Sequence, residues 1–203
     1  MPGDSVIRFL IVLSAYIIGS IPFPYLITRL KTGKDIRQMG SGNVGATNVL
    51  RTTGKTAGLI ALLLDTGKGM AAVWLGSHFT GQPVWGAIAA FAAMVGHSFP
   101  VFLGFHGGKS VATGGGAFLV LSPFAMLCSI GLFILSVAVF RIVALGSILA
   151  TACFPLFAWL FGTEKPVVLW GGLSALLIVV RHHANIRRML RGEERRMGEP
   201  KRD

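Results

Sequence analysis

Between Val84 and Leu103 the chain runs for about twenty residues without an acidic or basic charge, the length a helix needs to cross the apolar core of a bilayer. Ser5 to Thr28, Ala57 to Phe79 and Ile142 to Phe161 are comparably long and mostly apolar, and Phe124 to Phe140 and Val167 to Val180 are shorter runs of the same character. Composition agrees: 53% of the 203 residues are hydrophobic and 13% charged, against roughly a quarter charged in a water-soluble domain. The fold class expected is an all-α integral membrane protein. The first run is too long for a cleavable signal, and Asp4 and Arg8 flank it, so it reads as a permanent anchor.

The net charge of +11 does not point to nucleic acid, because the basic residues lie beside hydrophobic spans rather than on a soluble basic domain. Arg29, Lys31, Lys34, Arg37, Arg51 and Lys55 follow the first span, and Arg181, Arg187, Arg188, Arg191, Arg195 and Arg196 crowd the tail. Positive-inside bias makes both segments cytoplasmic and leaves the amino terminus outside. Cys128 and Cys153 stand singly in apolar runs, which gives neither a zinc site nor a disulfide framework.

Lys109 falls on the cytoplasmic side after the third span, so Val111 to Arg181 must contain an even number of crossings. Pro123 divides this stretch into roughly Val111 to Ser122 and Phe124 to Phe140. That gives about seven transmembrane helices, one of them short, with the carboxyl terminus cytoplasmic. Five crossings with a re-entrant hairpin is the competing topology. The short helix would rise only about 18 Å against a core of roughly 30 Å, so it needs a thinned or protein-lined region. No internal repeat is evident, and residues 1–203 read as a single membrane-embedded domain in which 185–203 form a basic, interfacial cytoplasmic tail.

Polar and glycine-rich residues gather in three cytoplasmic segments: GSGNVGATNVLRTTGK (40–55), GFHGGKSVATGGG (104–116) and RHHANIRR (181–188). The first six residues fit G-x-G-x-x-G, and Asp65 lies 20 residues beyond Gly45, but a dinucleotide fingerprint must follow a strand and open a βαβ unit. A phosphate nest needs only exposed backbone N–H groups near a helix start. Gly42, Gly45 and Ala46 permit close approach, Ser41, Asn43, Thr47 and Asn48 add hydroxyls and amides, and Arg51 adds a planar donor fork. In the second segment Lys109 follows Gly107 and Gly108 at a helix start, without Walker A spacing.

In the third segment His182 and Asn185 are three residues apart and share a face if the helix continues, with His183 facing elsewhere. A histidine can serve as base or donor there, and an asparagine can orient a hydroxyl or oxyanion. H-x-x-x-x-D and G-x-S-x-G arrangements are absent. Asp65 and Lys68, neighbours at i,i+3 inside the second span, fit either a functional charge or a structural pair. His97 is open in the same way.

Together the three segments resemble the bacterial acylphosphate-dependent glycerol-3-phosphate acyltransferases, whose motifs are Gly-Ser-Gly-Asn-x-Gly-Ala-Thr-Asn with a following Arg, Gly-Gly-Lys-Gly-Val-Ala-Thr, and His-x-x-Asn-Ile. The likeness extends to LLLDTGKG and GHSFPVF. Ser110 departs from the usual glycine, and HHANI stands where His-Arg-Glu-Asn-Ile is common.

The resemblance implies transfer of an acyl chain from acyl phosphate to the 1-hydroxyl of sn-glycerol 3-phosphate, the first acylation of phospholipid synthesis, at the cytoplasmic face of the bacterial inner membrane. The products would be lysophosphatidic acid and phosphate. Direct attack needs no acyl-enzyme, metal, nucleotide or other cofactor. Ser41, Arg51, Lys109, His182 and Asn185 would hold glycerol phosphate, and the 42–48 loop, with Gly107 and Gly108, would cradle phosphate. The bilayer is the other partner, and the basic tail offers a dock for the soluble enzyme that makes acyl phosphate. A transporter of a phosphorylated metabolite is the alternative, although such proteins hold substrate near mid-membrane at a repeat interface.

Overall fold

Pro22 and Pro24 lack the amide hydrogens that would carry a helix through them, and the first apolar run is divided there into α1 (Pro2–Ser20) and α2 (Phe23–Thr32). The two helices together still form one candidate crossing, Asp4–Thr32, over the expected Ser5 to Thr28 run, and apolar composition continues across the break. The computed structural model describes residues 2–199, and no strand occurs among them. The chain separates into two compact units, the first ending at Leu121 and the second beginning at Ser122.

The first unit continues through the short α3 (Ala46–Thr52) to α4 (Lys55–Thr80), α5 (Pro83–Ser98) and α6 (Val111–Leu121). Helices α1, α4 and α5 pack on one another, and α6 packs on α4 and α5. The most enclosed helix, α5, buries Ala87, Ala89, Ala90, Ala93 and Met94 completely. Large apolar side chains point outward instead, among them Phe9, Leu59, Leu63 and Trp74.

Small residues inside and bulky apolar ones outside is the arrangement of helices that associate in lipid, where close packing rather than water exclusion holds them together. The α4–α6 contact depends on it. A side chain at Gly69 would run into the Thr113 carbonyl, and one at Gly116 into that of Thr66. Helix α6 has 11 residues, a rise of about 16 Å, and glycines mediate its close fit against α4.

In the second unit α7 (Pro123–Phe140) packs on α8 (Val143–Leu160), which packs on α9 (Lys165–Arg181). Both ends of this antiparallel set are tied. Ser122 Oγ lies 2.7 Å from Thr163 Oγ1, joining the start of α7 to the α8–α9 turn. At the other end Arg141 Nη2 donates to the Met197 carbonyl at 2.7 Å, and the Met197 N–H donates back to the Arg141 carbonyl at 2.6 Å.

Helix α9 gives way at His182 to α10 (His183–Leu190), bent from it by 56°. Beyond α10 the tail folds back to the Arg141 turn at Met197, and residues 200–203 of the expected 185–203 tail lie outside the described residues. Five described segments are long and apolar enough to cross a bilayer, or six if α9 and α10 form one bent span, and α6 is a shorter apolar helix besides.

Candidate active site

The first glycine-rich loop begins where α2 stops at Gly33, in the left-handed region at φ 71°. Arg37 reaches back to Asp35 at 2.7 Å, and this hydrogen-bonded guanidinium holds the Asp35 carboxyl below the ordinary carboxylate range. The chain then turns at Gly40 and Gly42, with φ 58° and 71°. At the centre of the turn stands the Asn48 side chain, 1% exposed. Its Oδ1 accepts the Ser41 N–H at 3.1 Å, and its Nδ2 donates to the carbonyls of Met39 and Asn43, each at 3.0 Å. The Asn48 amide thus holds the loop in shape.

What the loop leaves available is backbone. Gly45 caps α3 without a side-chain bond, and within the described residues the N–H groups of Asn43, Val44, Ala46 and Thr47 enter none of the loop's hydrogen bonds. Successive unengaged N–H groups at a helix start are an anion-binding arrangement. Thr47 and Arg51, four residues apart, share a face of α3. Ser41 and Arg51 are exposed, while Gly42, Asn43, Gly45, Ala46 and Thr47 are half-buried.

The second loop, 104–110, is pinned to the end of α5. The Gly108 N–H donates to the His97 carbonyl at 3.0 Å. No Cβ fits at Gly107, which faces the His97 carbonyl and the Pro100 ring, or at Gly108, which faces the His97 ring and the Val44 carbonyl. Packing is thus what requires these two glycines, and through Val44 they bring the second loop onto the first. Ser110, at φ 61°, donates to the Met94 carbonyl at 2.6 Å and lies 2.8 Å from Ser98 Oγ. Lys109, half-buried, stands between Gly108 and Ser110, immediately before α6.

Beneath this loop lies a buried charged group. Lys68 Nζ is 2.8 Å from Asp65 Oδ1, 2.8 Å from His97 Nδ1 and 3.1 Å from the Ile21 carbonyl that the α1–α2 break exposes. The question left open by sequence is answered in part: the pair joins α4 to α5 and to the broken first helix.

In the second unit the turn between α9 and α10 carries the remaining residues. His182 Nδ1 donates to the Ile178 carbonyl at 2.8 Å, which leaves Nε2 as the basic atom of the neutral ring. The helix does not continue straight through His182, as a shared face with Asn185 supposes, yet both side chains are buried and His183 is exposed. Asn185 Nδ2 donates to Glu194 Oε1 at 2.6 Å, and Arg188 Nε donates to Glu194 Oε2 at 2.7 Å. Positions 183 and 184, where the family's Arg and Glu are missing, are both exposed.

Ser98 and Glu194 escaped the sequence reading. Ser98 falls inside an apolar run, and Glu194 lies nine residues beyond Asn185 with no periodic relation to it; the only signal for Glu194 was a carboxylate pair set among arginines.

These loops find counterparts in known proteins. The family model described as glycerol-3-phosphate acyltransferase matches residues 9–192. A glycerol-3-phosphate acyltransferase of Anaeromyxobacter sp. (strain Fw109-5) is 45% identical, with 96% of this chain and 98% of the relative covered. That of Paramagnetospirillum magneticum is 48% identical, with 92% of each covered. The crystal structure of PlsY (YgiH), an integral membrane glycerol 3-phosphate acyltransferase, superposes in its glycerol 3-phosphate form with a TM-score of 0.90 at 38% identity, covering 94% of this chain and 96% of that one. Its lysophosphatidic acid form gives 0.87 at 36% identity, covering 94% and 95%. With the motifs, the helical fold and matches over nearly the whole length in agreement, this integral membrane chain belongs to the glycerol-3-phosphate acyltransferase family.

Proposed function

We propose that the protein transfers an acyl group from acyl phosphate to the 1-hydroxyl of sn-glycerol 3-phosphate, releasing lysophosphatidic acid and phosphate. The observation that carries this reading is the first loop's row of unengaged backbone N–H groups, with the Gly-Gly-Lys loop packed against it through Val44. Two phosphorylated substrates need such donors, and the solved relative's glycerol 3-phosphate and lysophosphatidic acid forms support the acceptor and the product.

In this reading the 42–48 backbone cradles the acyl phosphate group, and Asn48 shapes that cradle from behind. Ser41, Arg51 and Lys109 hold glycerol phosphate, and the resemblance assigns the same task to His182 and Asn185. The acceptor oxygen attacks the acyl carbonyl, and the bond from that carbon to the phosphate oxygen breaks. The phosphate leaves with the electron pair. The hydroxyl proton passes to a substrate phosphate, whose second pKa lies near 6 by analogy with phosphoserine. His182 Nε2 is the second choice as base. Acyl phosphate is an activated mixed anhydride, so positioning and charge control are what the protein has to supply.

We further propose seven crossings, amino terminus outside and carboxyl terminus in the cytoplasm, within the bacterial inner membrane. The ties at Ser122–Thr163 and Arg141–Met197 favour three antiparallel crossings in the second unit, and the basic α2–α3 segment and tail favour the cytoplasm. The tail is a candidate dock for the enzyme supplying acyl phosphate. Lysophosphatidic acid formation by detergent-solubilised protein tests the reading as an enzyme, because a transporter shows no turnover without two compartments.

A further inference from the structure

A lysine ammonium only donates, and Lys68 Nζ forms an ion pair with Asp65 Oδ1 and hydrogen bonds with the Ile21 carbonyl and His97 Nδ1. Because an ammonium only donates, His97 Nδ1 must accept, and the proton of the neutral ring then sits on Nε2. That edge of the ring is the one Gly108 packs against, next to the Val44 carbonyl. The same residue's carbonyl takes the Gly108 N–H, and the next residue, Ser98, meets Ser110. Consecutive residues of α5 thus hold both neighbours of Lys109.

Charges within a membrane span are expensive and tend to be kept where they serve a site. Joining α4 to the broken first helix takes only Asp65, Lys68 and Ile21. His97 adds a contact with the loop.

We propose that His97 is a positioning residue for Lys109: the buried Asp65–Lys68 pair fixes the imidazole, and the imidazole fixes the Gly-Gly-Lys loop against the first glycine-rich loop. The inference rests on the reading of Lys109 as a substrate ligand. His97→Asn places an amide oxygen near the Nδ1 position, where Lys68 needs an acceptor, but is too short to reach Gly108. His97→Gln is long enough to put an amide N–H where Nε2 stands.

The test is a double-mutant cycle on purified full-length protein, with kcat and KM for glycerol 3-phosphate and melting temperature as readouts. His97→Asn should lower kcat/KM by about 10- to 100-fold, the scale of a small misplacement of a substrate ligand, while the melting temperature stays within about 4 °C. His97→Gln should recover most of the loss. In a Lys109→Ala background, His97→Asn should change kcat/KM by less than about twofold, as expected of residues acting as one unit. An unchanged kcat/KM in His97→Asn, or the same fold-loss in both backgrounds, overturns the inference. If His97→Asn does not fold, His97→Ala, which also withdraws the ring from Gly108, takes its place in the same cycle with the same criteria. Lys109→Ala at the parental rate would instead remove the reading of Lys109, and the inference with it.

Discussion

Ser110 Oγ lies 2.8 Å from Ser98 Oγ and 2.6 Å from the Met94 carbonyl. These contacts account for a serine at φ 61° at the position where the resembled motif has glycine. The single Ser110 proton goes to the carbonyl, so Ser98 donates to Ser110. Left-handed backbone costs a non-glycine residue about 1–2 kcal/mol, and two buried hydrogen bonds at about 1 kcal/mol each offset it. Ser110→Gly loses both the strain and the bonds and should shift stability by less than about 1 kcal/mol, whereas Ser110→Ala keeps the strain and should cost about 2–3 kcal/mol. Thermal unfolding in detergent distinguishes them; an alanine variant as stable as the glycine variant contradicts this balance.

Asn48 predicts a different hierarchy. Replacing it by Ala leaves the Ser41 N–H without its partner and takes from the Met39 and Asn43 carbonyls one of their two donors, a loss of about 2–3 kcal/mol. Asn48→Asp should be worse, because a carboxylate would face the two carbonyls that the amide nitrogen now serves. Melting temperatures of the two variants give the order, and an aspartate variant that outlasts the alanine variant would show that the side chain does not hold the loop this way.

Arg51 and Lys109 are expected to act on substrate charge. Each alanine variant should lose more than about tenfold in kcat/KM, at least 1.4 kcal/mol of transition-state stabilisation. Arg51→Lys should recover little, since a point charge does not replace a planar donor fork. Steady-state rates at saturating acyl donor provide the check; near-parental values would take either residue out of the site.

Glu194 ties Asn185 to Arg188. Removing its carboxylate should let the Asn185 amide reorient, so Glu194→Ala is expected to lower kcat/KM by about 3- to 10-fold, less than Asn185→Ala does. A rate above the parental one would instead mean that the Glu194 carboxylate competes with a substrate anion for Asn185.

The membrane fold was legible because twenty-residue apolar runs have few alternatives, and Pro123 marked the boundary between α6 and α7 that the structure shows. The break at Ile21–Pro22 was not, because apolar composition continues through it and the exposed carbonyl is met by Lys68 from a different helix. Glycines and cations of the two loops could be named from sequence. Their division of labour could not: the Asn48 side chain turns into the loop, and a seven-residue helix is too short for periodicity to reveal a face. Gly107 and Gly108 read as phosphate-binding residues, while the structure gives their absent side chains a packing reason, the proximity of His97 and Val44.

The central claim concerns the acyl donor. Detergent-purified protein given glycerol 3-phosphate should form lysophosphatidic acid and release one phosphate per acyl group when the donor is acyl phosphate, and should form none above background when the donor is acyl-CoA. Transfer from acyl-CoA without turnover of acyl phosphate would contradict the account.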